Sequence, residues 1–354
     1  MEVYQIRIVD PFREENLEAY LARHPSGNIF TSVDWARVLT LSYHQLKPRF
    51  LAVTDRKNRI RGVLPLFKVE SPITGQRLVS LPFTLYAGVL ADNTQVEQLL
   101  YQNAIEYLRV YNAEYLEIRT AHTPLPLEQF KSISSYVNHV LDLQPGLDAI
   151  YRKFSRSNVR QHLQKLEKLP VRVVVRQDKE ALRTFYRLYQ ITRKKIGLPP
   201  QPFKFFRYMQ KVLAPRNKLN IYLAEAEGKP IGGVLVLYSS HTVHMEYSGM
   251  DYNAMAFKPT FALFWQIIQD AANQGFRSVE FGGSPISHES LRRFKRHWGA
   301  REVPLYHHFY PEVRGISGRW EQRHGVQFIQ KIIRYAPQPV LSGMGRIIFR
   351  HLGG

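Results

Sequence analysis

The chain of 354 residues carries 49 Lys plus Arg against 29 Asp plus Glu, a formal charge of +20, and has no cysteine. The missing thiols exclude disulfide scaffolds, cysteine nucleophiles and thiolate metal sites, so any chemistry falls to oxygen, nitrogen and charge. The charge calls for polyanionic partners such as RNA, anionic lipid or phosphorylated substrates, without choosing among them.

The length exceeds the ~250 to 300 residues at which single cores stop growing, which predicts two domains. The N-terminus "MEVYQIRIVDPFREENLEAY" has acids where a signal peptide has a basic region and an apolar run. No stretch of about 18 apolar residues follows, so a soluble cytoplasmic protein is expected.

In chain order, "LAVTDRKNRIRGVLPLF" (51–67) reads as strand, polar turn, strand, and "QLLYQNAIEYLRVYNAEYLEIR" (98–119) as a helix running into a strand with Glu117. The same pair returns as "LAEAEGKPIGGVLVLY" (223–238) and "LFWQIIQDAANQGFRSVEFG" (263–282), with Gly233 in the place of Gly62 and Glu280 in that of Glu117. The offset of about 165 to 170 residues is too long for a solenoid and predicts one duplicated domain. Each copy should run strand, helix, hairpin, helix, strand, an α/β order with a mixed sheet. Pro145 and Gly146 place the boundary at 144–150, giving domains 1–147 and 148–312 with a tail at 313–354.

Between the repeats lies "YRKFSRSNVRQHLQKLEKLPVRVVVR" (151–176), a helix and strand with eight Lys or Arg against one acid. It fits an RNA or acidic-lipid contact or a solvated face, and its aromatics, Tyr151 and Phe154, are sparse for single-stranded RNA. A Pro-rich loop (196–202) then leads into an aromatic helix. Near the C-terminus "SLRRFKRHWGA" (290–300) groups four cations around Phe294 before Trp298 and Gly299. In the tail, Phe328, Ile329, Ile332 and Ile333 share a helical face, with Lys331 and Arg334 off it. Such a helix suits an anionic membrane surface, or packing on the second domain.

The ordered set "FYRLYQITRKKIGLPPQPFKFF", "LAEAEGKPIGGVLVLY", "MEYSGMDYNAMAFKPTFALFWQIIQDAANQGFRSVEFGG" and "LRRFKRHWGA" resembles the Fem family. These are bacterial aminoacyl transferases that move amino acids from aminoacyl-tRNA onto peptidoglycan precursors. "IFTSVDWARVL" and "LPFTLYAGVLAD" extend the resemblance to about residues 25–311. It implies two tandem GNAT-type (N-acyltransferase) domains, each a mixed sheet flanked by helices. It also implies attack of an amine on an activated carbonyl.

By position, the resemblance makes Lys295 a cation near the reacting carbonyl, Arg193 and Arg37 phosphate-binding residues, and Tyr86 and Tyr247 acceptor-groove aromatics; Tyr247 joins Lys295 in the catalytic set and Phe294 the substrate-binding one. Lys295 is expected to be an exposed groove cation, so that Lys295→Met leaves folding intact. The chain has no room for the long helical arm that many tRNA-using members insert.

A developing oxyanion asks for a fixed cation. For the amine proton, Asp34, Glu246 and Glu280 are candidates by position alone, and substrate-assisted transfer fits the family better. Coenzyme A binding in ordinary GNAT enzymes needs a Gly-rich turn at a helix start, and here that turn is "GMDYNAMAFKP" with Tyr252, Met255 and Phe257; coenzyme A is therefore disfavoured.

Ser284 in "GGS" lacks the flanking pattern of a nucleophile elbow. The histidine pairs 241/244 and 307/308 lack metal-ligand spacing, so no metal is expected. Three functions compete. The first is an aminoacyl or acyl transferase acting on a phosphorylated cell-envelope precursor, monomeric and cytoplasmic or peripheral to the inner membrane face. The second is an acyl-CoA-dependent N-acyltransferase acting on an amino sugar or exopolysaccharide unit. The third is a non-catalytic basic adaptor on RNA or membrane.

Overall fold

The structure is a computed structural model that describes residues 3–72, 75–125, 127–312 and 333–352. The chain divides into two compact units, one built from Met1–Ser135 with Pro304–Trp320 and Ile347–Gly354, the other from Tyr136–Val303 with Glu321–Arg346.

In the first unit, β1 (Gln5–Val9), β3 (Phe50–Thr54), β4 (Ile60–Leu64) and β7 (Leu90–Ala91) form one sheet, with β3 and β4 as the predicted hairpin. Helices α1 (Leu17–Arg23) and α2 (Val33–Ser42) precede β2 (Leu46–Pro48), which pairs with β5 (Phe67–Ser71). β6 (Gly75–Val79) then runs parallel to β8 (Tyr115–Ala121). Helix α3 (Thr94–Val110) starts where Asn93 accepts the Val96 N–H, an ordinary N-cap. It buries Val96, Leu100 and Ala104 against Leu51, Val53, Leu64 and Ile118.

The second unit opens with α4 (Leu147–Lys153), a π-turn at Arg156–Arg160 and α5 (Gln161–Leu166). Strands β10 (Val171–Arg176), β11 (Leu219–Ala226), β12 (Lys229–Tyr238) and β13 (Thr242–Met250) then pair in sequence, all antiparallel. Helices α6 (Lys179–Ile196) and α7 (Phe203–Leu213) lie between β10 and β11, and α8 (Pro259–Asn273) joins β13 to the parallel strand β14 (Ser278–Pro285). Asp178 caps α6 by accepting from the Glu180 and Ala181 N–H groups, and Gly197 ends it at φ 76°. The core gathers Phe154, Val234, Val236, Leu263, Ile267, Phe281 and Trp298. Helix α9 (Glu289–His297) follows, then β15 (Arg301–Tyr310).

The predicted repeat order is present with strands added in both copies: β7 pairs with β4 beyond the first hairpin, β13 extends the second hairpin into a three-stranded meander, and β2, β5 and β6 are further strands of the first unit. The glycine correspondence shifts by one residue. A Cβ on Gly62 would meet Val96 and Leu100 of the following helix, and the glycine that faces the equivalent helix α8 in the second copy is Gly232, against Pro259 and Leu263. Gly233 instead faces Phe185 of α6.

The division between units lies elsewhere than at 147/148. β9 (Lys131–Asp142) gives Lys131–Ser135 to the first unit and Tyr136–Asp142 to the second, where it pairs with β14. β15 leaves the second unit after Val303, and Leu305–Tyr310 pair with β8. Hydrogen-bonded strands therefore carry the crossing, and the Pro145-Gly146 turn only ends β9.

Of the tail, Phe328, Ile329, Lys331 and Ile332 lie outside the described residues. Ile333 is buried and Arg334 exposed. The helix Gln338–Leu352 buries Leu341, and Ser342 Oγ accepts from Gln190 Nε2 of α6 at 3.2 Å, so residues 338–346 pack on the second unit.

The closest approach of α6 to the sheet is at Gly249 in β13, where a Cβ would stand 2.2 Å from the Tyr189 nitrogen and 2.4 Å from the Leu188 carbonyl carbon. Backbone cannot yield as a side chain can, so Gly249→Ala is expected to destabilise the chain by about 1–3 kcal/mol. Urea denaturation followed by tryptophan fluorescence measures the shift, and an unchanged midpoint would refute this packing.

Candidate active site

β13 and β14 pair in parallel from Thr242↔Ser278 only as far as His244↔Glu280. Beyond that point each strand carries a bulge. On β13 the partners of Val236 and Leu235 are Met245 and Tyr247, so Glu246 is the inserted residue. On β14 the register against β9 slips between Glu280 and Gly283, and Gly282 takes φ 73°, a conformation that favours glycine.

Lys295 meets this opening from α9. Its Nζ donates to the carbonyls of Gly282 at 2.8 Å and Gly283 at 3.3 Å. The residue is 7% exposed, which overturns the expected exposed cation: α9 is short and strongly one-sided, and Lys295 is on its inward face with Phe294 and Trp298 beside it. Burial lowers the Lys295 pKa to about 7, with Glu246 opposing the shift. Burial raises the Glu246 carboxyl to about 7; Glu280 adds to the rise, while His244 and Lys295 oppose it. The position-based mention of Glu246 thus acquires a physical cause, desolvation beside a like charge.

Two histidines complete the surroundings. His244 is buried, with Nδ1 3.1 Å from Glu280 Oε2 and Nε2 2.7 Å from Ser239 Oγ. His139 on β9, between the residues that face Glu280 and Gly283, is fully buried, with Nε2 3.5 Å from Glu302 Oε1. Burial first, then the Lys295 charge, pushes its pKa down to about 4. Glu302 is held by Arg292 at 2.6 Å and Arg296 at 2.7 Å, and Arg296 also pairs with Glu289. Two of the three arginines around Lys295 therefore have carboxylate partners. The Ser284 hydroxyl is buried with no hydrogen-bond partner.

Each of the remaining candidates has contacts of its own. Tyr247 belongs to the aromatic group under α6 and α7, its ring centroid 5.1 Å from Phe206 and 6.0 Å from Tyr189. Arg193 lies over Tyr189 and donates through Nε to the Pro199 carbonyl at 3.1 Å, which holds the loop after α6. Phe294 packs on Phe261 and Phe264, a core contact rather than a groove wall. In the first unit, Arg37 is exposed with its guanidinium 5.0 Å from the Phe12 ring, Asp34 is buried one turn back, and Tyr86 is half-buried between β6 and β7. Glu117 accepts from Arg119 at 2.7 Å and lies 3.0 Å from His307 Nδ1, so the repeat does not duplicate the environment of Glu280. No group of three or more His, Asp or Glu among the described residues is arranged to hold a metal ion.

Sequence reasoning missed His139, His244 and Glu302 as neighbours of Lys295. Two bulges and a shared strand bring them together, and neither leaves a motif.

Residues 153–299 match the model of the acetyltransferase (GNAT) domain family. No curated protein matches the chain. Among solved structures, FemX aligns at 15% identity over 86% of this chain and 96% of its own, with a TM-score of 0.68. The C-terminal domain of a putative lysylphosphatidylglycerol synthetase from Agrobacterium fabrum aligns at 11% identity over 96% and 97%, with a TM-score of 0.58. A tandem GNAT protein from the clavulanic acid biosynthesis pathway aligns at 12% over 86% and 98%, with a TM-score of 0.52.

The Lys295 and Glu246 shifts set the sign of two stability effects. Lys295 titrates near 10.5 unfolded and near 7 folded, so the unfolded chain holds the extra proton between these values and stability rises with pH across that window. For Glu246 the folded value is raised above 4.5, so stability falls as pH rises from 4.5 to 7. Lys295→Met is accordingly expected to be more stable than the parent at pH 6, by on the order of a few kcal/mol, with the gap closing by about pH 10.5. Urea titrations across that range check it, and a pH-independent difference would contradict the burial of this amine.

Residues 153–299 thus match the GNAT domain family, and the chain as a whole has a Fem-like tandem GNAT fold.

Proposed function

We propose that this protein forms an amide on an amine of a cell-envelope precursor, taking the aminoacyl group from aminoacyl-tRNA. The observation that carries the reading is the pair of buried Lys295 and half-buried Glu246 at the divergence of β13 and β14, each brought to a pKa near neutrality. The ionised Glu246 carboxylate accepts a proton from the acceptor's ammonium group. The freed amine attacks the aminoacyl ester carbon, and the charge that develops on the carbonyl oxygen is met by the Lys295 ammonium. Collapse of the tetrahedral adduct breaks the ester bond, and the departing ribose oxygen of the tRNA takes the proton that the attacking nitrogen sheds. The reaction as written needs no resident cofactor and no metal.

FemX and the lysylphosphatidylglycerol synthetase domain, the latter named for an aminoacylated lipid, support an aminoacyl donor. The residue types at the start of α8 weigh against coenzyme A. Lys258 adopts φ 57° there and Pro259, at the first helical position, has no N–H to offer a pyrophosphate. The GNAT domain match and the clavulanic acid pathway protein favour the second reading, N-acylation of an amino sugar from acyl-CoA. A desolvated Lys–Glu pair costs stability that a non-catalytic adaptor has no reason to retain. The protein is taken to act as a monomer on the cytoplasmic side, peripheral to the membrane when the acceptor is lipid-linked; no helix of the described residues is long and apolar enough to cross a membrane.

Transfer measured with labelled aminoacyl-tRNA and a uridine-linked muramyl peptide should follow a narrow bell centred near pH 7, because the active microstate needs Glu246 ionised and Lys295 protonated. Glu246→Gln should lower kcat about 10²–10⁴-fold and remove the acidic limb, and Lys295→Met should lower kcat about 10²–10³-fold. Turnover of acetyl-CoA with no use of aminoacyl-tRNA would overturn the donor assignment in favour of the second reading.

A further inference from the structure

The excess of positive charge is concentrated in one stretch of the chain. Lys and Arg outnumber Asp and Glu by 27 to 13 over residues 136–303, against 15 to 14 over residues 1–135. Part of that excess sits at the π-turn and α5, where Arg156, Arg160 and Lys165 have no carboxylate partner among the described residues. Two nitrogens there are buried without a hydrogen-bond partner among the described residues: Arg160 Nε and His162 Nδ1. A buried donor left unpaired costs about 1–3 kcal/mol, and two in neighbouring residues call for an acceptor from outside the chain.

The location connects this pair to the reacting centre. α5 packs on α8, and the His162 ring lies 4.4 Å from that of Phe261 in the first turn of α8. Lys258 and Lys165 both face His162 closely enough to lower its pKa, after burial, so the local field is positive. The π-turn also packs on α9, the helix of Lys295, and the Ser155 N–H donates to the His297 carbonyl at 2.8 Å.

We infer that Arg160 and His162, with Arg156, Lys165 and Lys258 around them, form a binding site for a phosphate ester of the donor substrate. A guanidinium presents Nε–H and Nη–H as a planar fork that matches two phosphate oxygens, and an imidazole Nδ1–H adds a third donor. The inference rests on the transferase reading for its claim that the phosphate belongs to the donor. Two donors supply that chemistry, the pyrophosphate of coenzyme A and the phosphodiesters at the 3′ end of tRNA.

The test titrates the full chain by calorimetry with three probes: inorganic pyrophosphate, coenzyme A and a short single-stranded RNA ending in CCA. Proteins compared are the parent, Arg160→Gln/His162→Gln, Arg160→Lys, and Arg183→Gln as an exposed cation on α6 outside the site. The double variant should bind its phosphate probe at least about 10-fold more weakly than the parent. Arg160→Lys, which keeps charge and loses the fork, should fall between the two, and Arg183→Gln should change binding less than about twofold. Thermal melts of each variant confirm that the fold is kept.

Equal affinity in the double variant and the parent would overturn the site, as would an equal loss in Arg183→Gln, which would mean diffuse charge. RNA binding without coenzyme A binding supports the site with an aminoacyl-tRNA donor, and the reverse supports it with acyl-CoA. Loss of probe binding in the double variant together with no transfer by the parent from either donor sustains the phosphate site and rejects the transferase reading. Transfer activity unchanged in the double variant rejects the site and leaves that reading standing.

Discussion

The parting of β13 and β14 after His244 and Glu280 is the constraint on which the rest of the second unit's chemistry depends. Parallel strands that stay paired would consume the carbonyls of Gly282 and Gly283 in the sheet. Because each strand bulges outward, those carbonyls are left to accept from Lys295. The same bulge on β13 inserts Glu246 as an extra residue where the sheet is open. One break in sheet regularity thus supplies a buried ammonium and a half-buried carboxyl that act on each other's titration.

Burial holds both groups near neutrality, and the charges placed around them act second. Arg292 and Arg296 are bound to Glu289 and Glu302, so their charges are spent on the outer face of α9. His139 stays neutral beneath the β14 bulge and adds no competing cation next to Lys295. The ammonium is left with two carbonyl dipoles and a carboxyl of shifted pKa. Such a site titrates over the range in which amine substrates also exchange their protons.

Much of this was legible in the sequence, and what was hidden has a common cause. The duplicated hairpins at 51–67 and 223–238 and the helix-strand pairs after them were visible because period-2 and period-3.6 patterns survive without sequence identity. Lys295 was singled out by the Fem-family resemblance of "LRRFKRHWGA". Its burial was hidden, since four cations in eleven residues read as a solvated face. Glu246 looked like any strand glutamate because a bulge leaves no compositional mark. His139 and Glu302 are 163 residues apart and meet only through β9 and β15, which no local pattern can announce. Tyr247 and Arg193 were named by the family resemblance, and the ring contacts of α6 and α7 that Tyr247 and Arg193 make were not legible in their motifs.

The strand exchange also has a bearing on the order of synthesis. β8 finishes forming the first unit's sheet only when Leu305–Tyr310 arrive, and His307 reaches Glu117 across 190 residues of chain. A ribosome must therefore release the chain through residue 310 before this sheet can close its edge. During that interval an unpaired strand edge with Leu116 and Ile118 along it remains available to other nascent chains. Chaperone engagement would be most consequential in that window, between emergence of residue 121 and emergence of residue 310.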